Sequence, residues 1–242
     1  MSRTAWVIVG VVVAIVAVGA GVFVLTRPDA PPPLAIDDVA ASAEGTAAGT
    51  SDLSDLDGTW RVVAGDDTVA GLRIDEERAA GLGAHTAVGR TGEVTGSLVV
   101  TDGEVSDGSF AVDLSTIEFT DDPGLPVANR SEYLRTKALE TDEFPDARFE
   151  LTEPVDLSEL ADRTVRRAEV RGVLELHGVE RPATIAVDVR FDGADVVLGT
   201  SEPVTVRLAD HGIEAPEIPG VAKVAAEGSF EFVVVLQRAA AS

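Results

Sequence analysis

Gly172–Leu198, GVLELHGVERPATIAVDVRFDGADVVL, contains two turn signals and three runs of alternating apolar residues. Ala168, Val170, Gly172, Leu174 and Leu176 share one parity, while Arg167, Glu169, Arg171 and Glu175 share the other. That is the pattern of a strand with one dry face. Ile185, Val187, Val189 and Phe191 repeat it, with Asp188 and Arg190 on the opposite side. Between the two runs, His177 to Pro182 supplies a glycine for a positive φ and a proline that cannot donate to a ladder, so a turn is expected there. Asp192-Gly193 is a type I′ signal for the next hairpin. The stretch reads as a β-meander whose continuous apolar face needs covering.

Working outward, strands are expected from Leu56 onward. Trp60 and Val62 follow Asp57-Gly58, and Leu72 and Ile74 lie in a second run. Val94, Gly96, Leu98 and Val100 alternate in a third, Asp102-Gly103 turns it, and Phe110, Val112 and Leu114 form the face of a fourth. Phe149 and Leu151, then Val204, Val206 and Leu208, then Phe230, Phe232, Val234 and Leu236 continue the series, the last against Ser229 and Glu231. Glycines 71, 89, 92 and 96 suit sharply bent strands. Asn129–Leu139, NRSEYLRTKAL, breaks the pattern and predicts the one helix of the folded part, with Asn129 as N-cap and Glu132 completing a capping box. Hairpins with a single helical interruption and no βαβ alternation predict an all-β fold. The expectation is an antiparallel up-and-down barrel of about eight strands with one helical insertion.

Residues 1–55 differ from the rest. Ala5 to Leu25 carries no charge and is long enough to cross a bilayer core. Residues 1–25 therefore read as a transmembrane anchor, with a cleaved signal peptide as the alternative; the length of the apolar run favours the anchor. Arg3 before it and Asp29, Asp37 and Asp38 after it favour a cytoplasmic N-terminus, which puts the domain outside the membrane; a cleaved signal would leave the protein secreted. Residues 26–55, with Pro28 and Pro31 to Pro33, read as a disordered linker, residues 56–238 as the barrel domain and 239–242 as a tail. Alanine, valine, glycine and aspartate abound, a bias suggestive of a GC-rich bacterial genome.

The formal charge of −23 argues against nucleic-acid binding, which needs clustered Lys and Arg to neutralise phosphates. Without cysteine the chain has no thiol catalysis, no thiolate metal site and no lipidated-cysteine anchor. His85, His177 and His211 are the only histidines; none has an i, i+4 partner, so no metal site is expected. His177 reads as closing its turn through a hydrogen bond. No G-x-S-x-G elbow occurs, Asp121-Asp122-Pro123-Gly124 lacks the ligand spacing of a calcium loop, and no enzymatic activity is expected.

The order of the Trp60 strand, Val88-Gly89-Arg90-Thr91 with Val94-Thr95-Gly96, the Asn129-Arg130 to Leu134-Arg135 helix, Phe144-Pro145 with Phe149, and Gly172 through Leu176-His177-Gly178-Val179 to Arg181-Pro182 resembles the YceI-like family. The resemblance covers roughly Leu56 to Arg238. It implies a lipocalin-like barrel that binds a polyisoprenoid or another long-chain amphiphile, with no cofactor beyond a bound isoprenoid or isoprenoid quinone. Many members carry a histidine near the second strand; Asp67 to Glu76 here has none.

The inward parity nominates the ligand-binding wall. Trp60 and Phe110 come from the first half, Leu174, Leu176, Ile185, Val187 and Phe191 from the meander, and Val206, Phe230 and Phe232 from the C-terminal strands. They form either a filled core or the wall of a tunnel, and the sequence leaves both open. Asn129, Arg130 and Arg135, near the helix, either meet a polar headgroup or cap the helix and pair with acids. Two functions follow: a membrane-tethered extracytoplasmic lipid carrier, or a non-binding acidic β-domain acting in cell-envelope interactions or stress protection. The oligomeric state is not legible.

Overall fold

The computed structural model describes residues 30–39, 56–79, 81–123, 128–158, 165–192 and 195–240. Among these, no helix is long and apolar enough to cross a membrane, and Ala5–Leu25 lie outside them.

Fourteen strands form one sheet that closes on itself. They are β1 (Gly58–Val62), β2 (Val69–Arg78), β3 (Gly83–Thr91), β4 (Val94–Thr101), β5 (Glu104–Asp113), β6 (Glu118–Phe119) and β7 (Asp146–Leu151). After them come β8 (Val155–Asp156), β9 (Arg166–Leu176), β10 (Val179–Asp192), β11 (Asp195–Thr200), β12 (Val204–Arg207), β13 (Glu217–Ile218) and β14 (Ala222–Arg238). The excess over eight arises because bent ribbons are broken into segments. β1 and β2 run one after the other along the same edge of β14, from Trp60 opposite Arg238 to Arg78 opposite Ala222. Thr68, buried, staples the break between them: its hydroxyl donates to Val63 O at 2.7 Å and accepts from Val235 N at 3.2 Å. β3 and β4 form a second broken ribbon, facing β2 and β1 respectively. The closed circuit β1-β4-β5-β7-β9-β10-β11-β14 returns to β1, giving an eight-stranded antiparallel barrel.

The register follows the parity read from the sequence. Gly172 faces Ala183, Val170 faces Ile185 and Ala168 faces Val187, so one dry face runs across this part of the β9–β10 ribbon. Asp102-Gly103 and His177-Gly178 each place two consecutive residues at positive φ, 53° and 80°, then 54° and 70°. Those are type I′ turns, whose twist matches that of the flanking strands. Gly178 is also required by space, since a Cβ there would sit 2.8 Å from the Phe144 ring.

Three expectations are corrected. Pro182 lies inside β10, opposite Val173, and not in the turn. β11 covers β10 only from Val187 onward, so the proline's missing N–H falls on an unpaired stretch of edge. The helix expected over Asn129–Leu139 is present: α1 (Arg130–Tyr133) runs directly into a π-type stretch over Leu134–Ala138, and the correction there is to its cap. Asn129 does not cap it: it sits at φ 58° and makes no side-chain bond to the helix, whereas an N-cap needs an extended backbone.

The third correction concerns the segment read as linker. Residues 30–39 lie across the outside of the barrel as a strap. Arg73 Nη1 donates to Pro31 O at 2.7 Å and Arg90 Nη2 to Pro32 O at 2.6 Å. Arg190 donates to Ile36 O and Val39 O at 3.1 and 2.8 Å. Ile36 and Val39 are buried against Val197 and Val233. Ile36 seats where β11 has Gly199, since a Cβ at 199 would approach Ile36 Cγ2 to 2.6 Å. Beneath the strap Glu231 is fully buried, 3.6 Å from Arg73 and 3.4 Å from Arg90. Proline-rich sequence without periodicity docks here because the barrel's outward arginines satisfy its carbonyls.

Candidate functional site: the barrel interior

The barrel encloses a cavity of about 490 Å³, within the range of small-molecule pockets. Its wall is almost wholly aliphatic and aromatic. All ten apolar candidates lie on it: Trp60 from β1, Phe110 from β5, Leu174 and Leu176 from β9, Ile185, Val187 and Phe191 from β10, Val206 from β12, and Phe230 and Phe232 from β14. Phe149 of β7 was not singled out from sequence, although its place opposite Leu174 follows from strand pairing.

The two ends differ. At one end Leu56, Trp60, Val100, Leu157 and Leu236 are all buried and close the barrel with a packed plug. Trp60 is fixed there by its indole N–H, which donates to Leu56 O at 2.9 Å. At the other end the wall is formed by α1 and the turn after it, and by Pro216, Ile218 and Val224. A small cluster of Leu114, Ile117, Leu139 and Ile213 is packed there, yet Tyr133 on the same wall is 39% exposed and Ile218 and Val224 are half-buried. The cavity mouth lies between α1 and the Pro216–Val224 segment. In mid-barrel, Phe110, Leu174, Phe230 and Phe232 point inward yet are only half-buried. A close-packed core leaves no such accessible surface, so the interior is open and not filled.

Of the three polar candidates, the structure brings only Arg130 to the cavity. Its Nη1 donates to Asp121 Oδ2 at 2.7 Å, and its guanidinium lies 3.8 Å above the Phe119 ring centroid. Nη2 stands 3.6 Å from Glu76 Oε1. Arg135 turns away to pair with Glu118 and the carbonyl of Ile117, and Asn129 is exposed and off the wall. No sequence pattern marks Asp121 as the hub of this corner. Its side chain is fully buried and accepts from His85, Arg130 and the Val88 N–H. Burial opposes its ionisation, but those three hydrogen bonds outweigh it and hold the carboxyl below the usual aspartate range.

His177 does not close its own turn; its side chain ties that turn to two remote segments. Its ring bonds to His211 O at 3.2 Å and to Glu140 Oε2 at 3.1 Å, and packs on Phe144. Among the described residues no cluster of three or more His, Asp or Glu could hold a metal ion.

A closed antiparallel barrel with a plugged base and an apolar chamber is the lipocalin-like type of architecture. The chain belongs to the YceI-like domain family, whose pattern matches residues 46–236. Among solved structures it is similar to a polyisoprenoid binding domain from Saccharophagus degradans implicated in plant cell wall breakdown. The TM-score is 0.57 at 18% identity, over 74% of this chain and 98% of that one. It is also similar to BcnA of Burkholderia cenocepacia, with TM-score 0.50 at 13% identity over 76% and 98% of the two chains. At these identities the likeness is one of fold. No curated protein matches the sequence significantly.

Proposed function

We propose that the protein is a membrane-tethered carrier, working outside the cytoplasmic membrane, that takes a polyisoprenoid or similar long-chain amphiphile into its barrel by reversible burial. The observation that carries this reading is the open apolar cavity of about 490 Å³. Each ligand methylene moved from water to that wall contributes roughly 0.8 kcal/mol, so a chain of several isoprene units has ample driving force. The wall residues from Trp60 to Phe232 supply the contact and Arg130, at the mouth end, meets the headgroup. Membership of the YceI-like family supports the choice of ligand class, as does the description of the Saccharophagus domain as polyisoprenoid-binding. The uncharged Ala5–Leu25 span supports the tether, and the acidic flank after it supports the extracytoplasmic side. Binding, not catalysis, is the role. Titration with a dansyl-tagged long-chain prenyl alcohol tests it: saturable blue-shifted emission is expected, and emission indistinguishable from that in buffer would refute the carrier.

A further inference from the structure

We infer that the strap is a fastening that holds the cavity mouth against the surface of the lipid bilayer. The inference rests on the anchor reading above and adds which end of the barrel meets the membrane.

The strap fixes where the tether leaves the domain. Pro31 is bonded to Arg73 on β2 and Pro32 to Arg90 on β3, so Ala30 lies beside the β2–β3 ribbon. Glu76, which reaches the cavity at its mouth end, is three residues further along β2, about 10 Å away. The plugged end is much more distant. Arg73 pairs with Ser229 and Trp60 with Arg238, nine residues along β14, or roughly 30 Å.

Chain length then sets the reach. Five residue steps separate Leu25, the end of the apolar span, from Ala30. Even fully extended they cover only about 17 Å. Were the strap not docked, the first fixed point would be Leu56, buried in the plug and bonded to Trp60. That is thirty-one steps from Leu25, with a reach of roughly 100 Å. Docking therefore shortens the leash several-fold and moves its attachment from the closed end toward the open one.

Charge makes a short leash matter. A domain within a chain of net charge −23 is repelled by an anionic leaflet, and on a long leash it would stand off from it. Four arginine-to-carbonyl bonds and the Ile36 and Val39 contacts oppose that drift. A long-chain lipid can then pass between bilayer and cavity without crossing bulk water.

The test uses full-length protein in phosphatidylcholine–phosphatidylglycerol vesicles that carry a headgroup-labelled acceptor dye. Because the chain has no cysteine, a single donor can be placed at Glu132→Cys beside the mouth or Glu104→Cys beside the plug. Energy transfer to the bilayer is expected to be several-fold greater from position 132. The difference should collapse in Ile36→Asp, and in Arg190→Gln as a second way of releasing the strap, with unchanged circular dichroism showing that the barrel persists. Equal transfer from the two positions in vesicle-bound protein would overturn the inference alone, as would a difference that survives both strap variants. Protein that stays in the supernatant would overturn the anchor reading, and the inference with it.

Discussion

Replacing Leu174 with tryptophan separates an open chamber from a filled core. Leu174 lies on the cavity wall opposite Phe149, and it belongs to none of the three packed apolar clusters. In a close-packed core such an enlargement costs about 1–3 kcal/mol. For a domain of this size each kcal/mol lowers the melting temperature by about 2–4 °C. In the open chamber the indole extends into empty space and gains contact, so the expected shift is under about 2 °C. Binding should suffer instead. If the ring displaces about three ligand methylenes at ~0.8 kcal/mol each, the loss is roughly 2.4 kcal/mol, or about 50-fold in affinity. The assay pairs differential scanning fluorimetry with titration of the dansyl prenyl alcohol. Glu175→Gln, of outward parity, serves as the control. A Leu174→Trp protein that melts about 6 °C lower while its affinity is unchanged would refute the reasoning.

Asp121→Asn should cost about 3 kcal/mol at neutral pH, because Arg130 loses its buried partner. Since the folded carboxyl titrates below its unfolded value near 3.9, this contribution is complete above about pH 4 and fades as pH falls further. Chemical denaturation of both proteins down that range should show the gap closing; a gap constant with pH would contradict it. Gly199→Val should unseat Ile36 and leave the barrel intact, at a cost of only about 1–3 kcal/mol because the freed segment regains chain entropy. Hydrogen exchange at Ile36 and Val39 should then approach that of an unfolded peptide, and retained protection would show that the strap does not depend on the notch. Deleting residues 1–29 should turn a membrane-pelleting protein into a soluble one with unchanged β-sheet circular dichroism, and expression of the whole chain that yields a soluble product lacking its first residues would favour signal cleavage.

Much of the barrel was legible because a strand's side chains alternate strictly. Leu174, Ile185, Val187 and Phe230 were placed on one face by parity alone, and the register agrees. The turn at Asp102-Gly103 is legible from its Asp-Gly pair, and that at His177-Gly178 from its glycine, though its extent is not, since Pro182 belongs to β10. What parity cannot say is what lies against the other face. Arg190 and Glu231 do point outward, but outward is not solvent: the strap covers them. The strap has no period of its own, and its place is dictated by Gly199 and three arginines remote in sequence. The helix is legible to within a residue at each end, but its π winding and the left-handed Asn129 before it are not, because both are local backbone choices that propensity does not encode. Open or filled was illegible for a different reason, since the same inward residues serve either and only the closure of the sheet sets the enclosed volume.

The central claim, that the chamber holds a lipid, is tested most directly by native mass spectrometry of full-length protein extracted gently from the membranes of a lipid-containing host. The expected result is a species heavier than the chain by one long-chain amphiphile, released into organic solvent and absent from Leu174→Trp. Protein at the bare chain mass, which also fails to acquire an added prenyl alcohol, would contradict it.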